Sequence, residues 1–194
     1  MTPIPNLAAI SIGAGVAIAV VALLVLIIIA IYNGLVRRRM EVQTAWSQID
    51  VQLKRRHDLI PNMVETVKGY AGHEKETLQR VIAARNQAVG ASGVAQSAAA
   101  ENMLTGALRQ LFALSEAYPT LKADANFRQL SEELATTENK IGFARQHYNE
   151  RVNDYNQAIQ VFPAVLFASA LGFRSAEFYA LEDQAAKQAP QVKF

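Results

Sequence analysis

The chain has 194 residues, no cysteine, and 19 Lys plus Arg against 17 Asp plus Glu. A formal net charge of +2 supplies no strongly basic field for nucleic acid. The absence of cysteine excludes thiol catalysis, a disulfide framework and lipid attachment at a cysteine. The charges are unevenly placed, since the first 36 residues contain no Asp, Glu, Lys, Arg or His, and Arg37, Arg38 and Arg39 follow at once.

From about Ile10 to Ile31 the sequence is almost continuously Ile, Val, Leu, Ala and Gly. At a rise of about 1.5 Å per residue this run crosses a hydrocarbon core of roughly 30 Å, so it reads as one transmembrane helix. A cleaved signal peptide fits poorly, because the positive cluster follows the apolar run and the segment before it carries no charge. A buried core helix apolar on every face would need more partner surface than the rest of the chain offers. The arginines Arg37, Arg38 and Arg39 read as membrane-proximal anchors facing lipid, and they predict an N-terminus outside and residues 37 to 194 in the cytoplasm. Small residues recur every four positions at Ala9, Gly13 and Ala17 and at Ser11, Gly15 and Ala19, a spacing that gives weak support for self-association in lipid. The organisation expected is an extracytoplasmic N-terminus and membrane helix over 1–36, a helical bundle over 37–163, and an apolar C-terminal segment and tail over 164–194.

After the membrane segment, apolar residues keep helical spacing. Val42, Trp46, Ile49, Leu53, Ile60, Val64 and Val67 form one stripe, with His57 where the seam continues between Leu53 and Ile60. Pro61 falls inside the stripe and either ends the helix or kinks it without loss of phase, the kink being favoured. Gly69, Gly72 and His73 mark a turn, and Leu78, Val81, Ile82, Arg85 and Val89 suggest a shorter second helix. Gly90 to Ser97 reads as a connection, and a third helix carries Met103, Leu104, Leu108, Leu111, Phe112 and Tyr118 up to Pro119. Pro119 to Ala125 is expected to be a loop. Asn126, with Gln129 three positions on, is expected to cap the fourth helix. That helix has a heptad seam with one shift at Tyr148, running from Phe127 through Leu134, Ile141, Tyr148, Val152, Tyr155 and Ile159 to Phe162.

No segment alternates with period two, so the predicted fold is all-α: one N-terminal transmembrane helix followed by an antiparallel four-helix bundle of two long and two shorter helices. The first soluble helix (about Tyr32 to Tyr70) and the fourth (about 126 to 162) are each roughly 55 Å long, and the other two about half that. The short pair cannot cover the long pair, which leaves a two-helix stalk around Trp46, Leu53, Tyr148 and Tyr155. These four are the interface candidates for an oligomer. Beyond the fourth helix, residues 163 to 173 carry no charge. They are too short to span a bilayer, and either lie in its interface or fold onto the base of the bundle.

The search for chemistry is mostly negative. A di-iron bundle needs Glu-x-x-His pairs, but Lys54, Tyr70 and Ala144 stand three positions before His57, His73 and His147. His73-Glu74 opens like a zinc-protease motif, yet Thr77 occupies the second ligand position. No phosphate-binding glycine loop is present, and no catalytic, cofactor-binding or metal residue is assigned. The densest polar group is Asp50, Lys54, Arg55, Arg56, His57 and Asp58, followed by Glu65 and Lys68. It reads first as a solvated, salt-bridged face, and second as a docking surface for an acidic partner or lipid headgroups. His57 is expected to be packed or capping rather than a ligand.

These same residues resemble the LemA family. The resemblance is carried by Tyr32-Asn33, by Trp46 with Ile49-Asp50, and by the block Asp58-Leu59-Ile60-Pro61-Asn62 followed by Val64-Glu65 and Gly69-Tyr70. Further on it is carried by Glu101-Asn102, Tyr118-Pro119, Asn126-Phe127, Tyr148-Asn149, Val152, Tyr155-Asn156, Pro163 and Gly172-Phe173. It implies a bacterial inner-membrane protein with its N-terminus outside, a helical cytoplasmic domain and no established catalytic activity. It also implies relatives among magnetosome proteins associated with membrane shaping. The function expected is a non-catalytic, single-pass scaffold or interaction protein. Its partners are the membrane, further copies of itself and other membrane proteins, with no cofactor and no nucleic acid. The alternatives are a lipid-binding or membrane-shaping module and, behind it, a hydrolase or metal enzyme using His57, Asp58, Glu65 and His147.

Overall fold

The computed structural model describes residues 7–180, and every regular element among them is helical. The expected N-terminal segment before Leu7 and the tail after residue 180 lie outside the described residues. The order is α1 (Leu7–Ala71), α2 (Lys75–Gly90), α3 (Val94–Ser115), α4 (Pro119–Ala123), α5 (Ala125–Gln160) and a 3-10 turn (Ala164–Leu166).

The expected membrane helix and first soluble helix are one unbroken element of 65 residues. Pro61 lies inside α1, and Ile60, Met63, Val64 and Val67 are all buried, so the stripe holds its phase through the proline. The connection expected over Gly90 to Ser97 is shorter in the structure. Ala91 to Gly93 suffice to join α2 to α3, with Gly93 at φ +80° where a side chain would be strained. The residues that follow are largely alanine, the strongest helix former, and need no apolar pattern to be helical. The segment expected as a loop contains the short helix α4, with Pro119 in its first turn, where a missing N–H costs nothing. The cap of α5 is Asp124 rather than Asn126. Its Oδ1 accepts the Phe127 N–H at 2.9 Å, and Tyr70 Oη donates to its Oδ2 at 2.9 Å. Those two donors hold the Asp124 carboxyl below its ordinary range, and the same carboxylate pushes the Tyr70 phenol up.

The chain divides into two compact units. The first joins the described part of 1–41 to 153–175. Val16, Ile18, Leu23, Leu24 and Leu26 are each more than half exposed along α1. This stretch is long and apolar enough to cross a membrane, and none of it is buried. Past it the unit acquires an interior from Leu35, Tyr155, Ile159, Ala164, Ala168 and Phe173, and the Tyr32 and Phe173 rings meet edge to face at 5.6 Å.

The second unit, 42–152 with the segment from 176, holds the larger core. Ile60, Met63 and Val67 of α1, Val81 of α2, Leu104, Leu108 and Leu111 of α3, Leu121 of α4 and Phe127 and Leu134 of α5 are buried together. The heptad seam of α5 is visible in its burial, since Phe127, Leu134, Thr137, Ile141, Tyr148 and Val152 are buried in this unit and Tyr155 and Ile159 in the first. Phe162 departs from it and is 77% exposed, because α5 ends two residues earlier.

Candidate functional site

The polar group on α1 is split rather than uniformly solvated. Asp50, Lys54, Arg55 and Asp58 are exposed, but Arg56 and His57 face the core and are buried. Opposite them Glu101 is 1% exposed on α3, at the position that extends the Leu104, Leu108 and Leu111 stripe one step toward the N-terminus. Arg56 donates to Glu101 Oε2 at 3.2 Å and to Thr105 Oγ1 at 2.8 Å, and its Nη1 forms an ion pair with Glu138 Oε2 at 3.0 Å. His57 Nε2 lies 2.5 Å from Glu101 Oε1. A carboxylate already accepting from a guanidinium offers only acceptors, so His57 Nε2–H is the donor. Three helices thus close one ionic network whose members replace lost water with one another.

Pro61 ties a fourth element to it. With no N–H, the proline leaves the carbonyl four residues earlier without its helical partner. That carbonyl belongs to His57, and Arg85 of α2 donates to it from Nε at 3.3 Å. Arg85→Ala is therefore expected to cost about 1–3 kcal/mol by stranding a part-buried carbonyl. In a Pro61→Ala background the backbone N–H gained at that position restores the helical bond, so the same Arg85 substitution should cost markedly less. Chemical denaturation of the four proteins of this cycle measures the difference.

Beside the network, the segment after Ser175 crosses the seam of α1 and α5 within the second unit. Asn149 holds it by its backbone on both sides, donating from Nδ2 to the Tyr179 carbonyl at 3.2 Å and accepting the Tyr179 N–H at 2.8 Å. Tyr148 Oη donates to the Glu177 carbonyl at 2.9 Å. This clamp drives the Tyr179 side chain inward to 1% exposure, with its ring 6.2 Å from Trp46 and the Arg145 guanidinium 4.6 Å over its face. Trp46 also meets Tyr148 edge to face at 5.6 Å. Burial pushes the Tyr179 phenol up, opposed by the nearby charges of Arg145 and Arg56 and reinforced by Glu101. Burial likewise raises Tyr148. Among the described residues Tyr179 Oη has no partner that meets hydrogen-bond geometry, although Arg145 is near enough to oppose the burial. Arg145 Nε and Nη2 are also buried without an acceptor among the described residues.

The expected stalk is corrected by this arrangement. Leu53, Tyr148 and Tyr155 are buried within the chain and Trp46 is half-buried, because the chain's own C-terminal segment covers the seam near Trp46 and Tyr148. Arg37, Arg38 and Arg39 are exposed. The residues weighed for an enzyme do not converge. His57 is engaged with Glu101, Asp58 and His147 are exposed, and Glu65 is exposed beside Lys68 at 3.3 Å. Arg56 also forms the wall of a cavity of about 420 Å³ shared with Thr105, Arg109, Phe112 and Glu138. Sequence reasoning gave Glu101 no role beyond the resemblance and missed Tyr179. Glu101 was visible as the polar residue on the α3 stripe, whereas Tyr179 stands in an irregular segment with no period to announce it.

The sequence model of the LemA family matches residues 45–194. Protein LemA of Metamycoplasma hominis is 30% identical over 134 residues, covering 67% of this chain and 60% of that protein. Magnetosome protein MamQ of Magnetospirillum gryphiswaldense is 25% identical over 174 residues, covering 76% of this chain and 64% of its own length. MamQ 2 of Paramagnetospirillum magneticum is similar to the same degree. The matched region thus spans a little under two thirds of the length of these relatives.

Proposed function

This chain belongs to the LemA family, and from that membership together with its apolar helix we propose that it is a single-pass scaffold of a bacterial inner membrane. In this reading the N-terminus is outside, an antiparallel bundle of α1, α2, α3 and α5 lies in the cytoplasm, and copies associate into an oligomer without catalysing a reaction. Other membrane proteins are its further partners.

The observation that carries the reading is how the polar residues are used. Arg56, His57 and Glu101 bind one another inside the core, and Arg56, His57, Thr105 and Glu138 knit α1 to α3 and α5. Such a network fixes which helices meet and in what register, a specifying role attested for buried polar groups. The topology is supported by Arg37, Arg38 and Arg39 at the end of the apolar run. The likeness to MamQ, named as a magnetosome protein, favours work at a membrane compartment.

The native mass of the full-length protein in mild detergent tests the scaffold. The expected result is a defined assembly at a whole multiple of 21.2 kDa, reproduced by cross-linking in membranes. A single protomer at every concentration, with no cross-linked species, overturns the oligomeric scaffold.

A further inference from the structure

The uncharged stretch after α5 has two faces within the first unit. Ala164, Ala168 and Phe173 are buried, so the segment is folded and anchored rather than loose, and Gly172 makes the closing turn at φ +79°. On its other face Val161 is 48% exposed, Phe162 77%, Val165 47%, Leu166 63% and Leu171 38%. Five large apolar side chains left exposed within eleven residues are of the kind that marks an interaction surface.

Its place in the unit selects the occupant. Phe173 closes the segment against Tyr32, the residue at which the apolar run of α1 ends. An aromatic at the end of a span sits at headgroup level. Arg37 begins five residues further on, about 7.5 Å along the helix axis, where the chain turns basic. The segment itself carries no charge until Arg174, immediately after Phe173, so its apolar patch and basic border follow the same order as those of α1.

We propose that residues 161–171 enter the headgroup–acyl boundary of the leaflet on the basic side of the span, as a second membrane attachment. The occupant is the lipid bilayer. Phe162 and Leu166, the most exposed pair, go deepest, while Ala164 and Ala168 hold the segment to the protein. A surface attachment beside a span adds no topology; it fixes the tilt and rotation of the helix beside it. The inference rests on the membrane reading of α1, and its test separates the two.

Since the chain has no cysteine, single cysteines report position without background. Leu166→Cys and Phe162→Cys are compared in full-length protein with Leu24→Cys in the span and Glu132→Cys on exposed α5. Each carries an environment-sensitive fluorophore, in vesicles of phosphatidylcholine and phosphatidylglycerol with lipids spin-labelled near the headgroup or, for position 24, midway along the acyl chain. The expected result is blue-shifted emission at positions 166 and 162 and lipid quenching at least threefold stronger than at 132. Quenching at 24 with water-like emission at 166 and 162 overturns the proposal and leaves the span standing. Blue-shifted emission at 166 that lipid does not quench overturns it in favour of a second protein copy. Absence of lipid quenching at 24 overturns the membrane reading itself, and the proposal with it.

Discussion

Glu101→Ala is expected to destabilise the protein by about 3–5 kcal/mol, because it leaves two buried donors facing a vacated site. Arg56 is 3% exposed and His57 8%, and both use Glu101 as an acceptor. Arg56 keeps Glu138 and Thr105, whereas the His57 ring has no other partner among the described residues. For a chain of this size the loss corresponds to a fall in Tm of about 6–20 °C by circular dichroism. Glu101→Gln retains a carbonyl acceptor and its shape, and should cost less than half as much. The informative companion is the triple exchange Arg56→Met, His57→Leu and Glu101→Leu. Removing the three buried charged members at once leaves only Glu138 and Thr105, which are part-exposed and can turn to water, and such exchanges are often neutral or stabilising. If the triple variant is stable yet loses the native assembly mass, the network specifies packing; if Glu101→Ala is silent, the network does neither.

The helices were legible because their burial is periodic. Val42 to Val67 and Phe127 to Ile159 each repeat at three and four residues, and both stripes are buried in the structure. The boundaries read less well where local chemistry competes. Asp124 and Asn126 are both capping residue types two positions apart, and the Phe127 N–H and the Tyr70 hydroxyl both go to the first. The site was the least legible part. Arg56 and Glu101 are 45 residues apart, and an arginine in a run of charged residues reads as solvated until the α3 stripe is brought opposite it. The seam around Trp46 looked uncovered for a related reason. Its cover is an irregular segment held through backbone atoms by Asn149, and backbone recognition leaves no side-chain pattern.

Releasing that cover is the second large effect. Tyr179→Ala removes the buried ring that packs on Trp46 and under Arg145, a loss of about 3–5 kcal/mol for a large aromatic in a core. The segment has no regular structure to lose, so it should detach rather than leave a cavity, with the bundle still helical. Trp46 is the only tryptophan and its emission should shift to the red, while trypsin should gain access at Arg174. Asn149→Ala, which breaks both backbone bonds to Tyr179, should give the same two signals. Tyr179→Phe should not, because it keeps the ring and removes a buried hydroxyl that has no hydrogen-bond partner among the described residues. The two tyrosine variants also separate in alkali. Burial raises the Tyr179 phenol above its ordinary value, so its neutral form stabilises the closed segment fully below the unfolded value near about pH 10. That contribution is lost as pH rises through the folded value, because the phenolate must leave its buried site. Alkaline release of the Trp46 signal in the natural protein, delayed in Tyr179→Phe, assigns the opening to this residue; the same release in both assigns it to the rest of the chain.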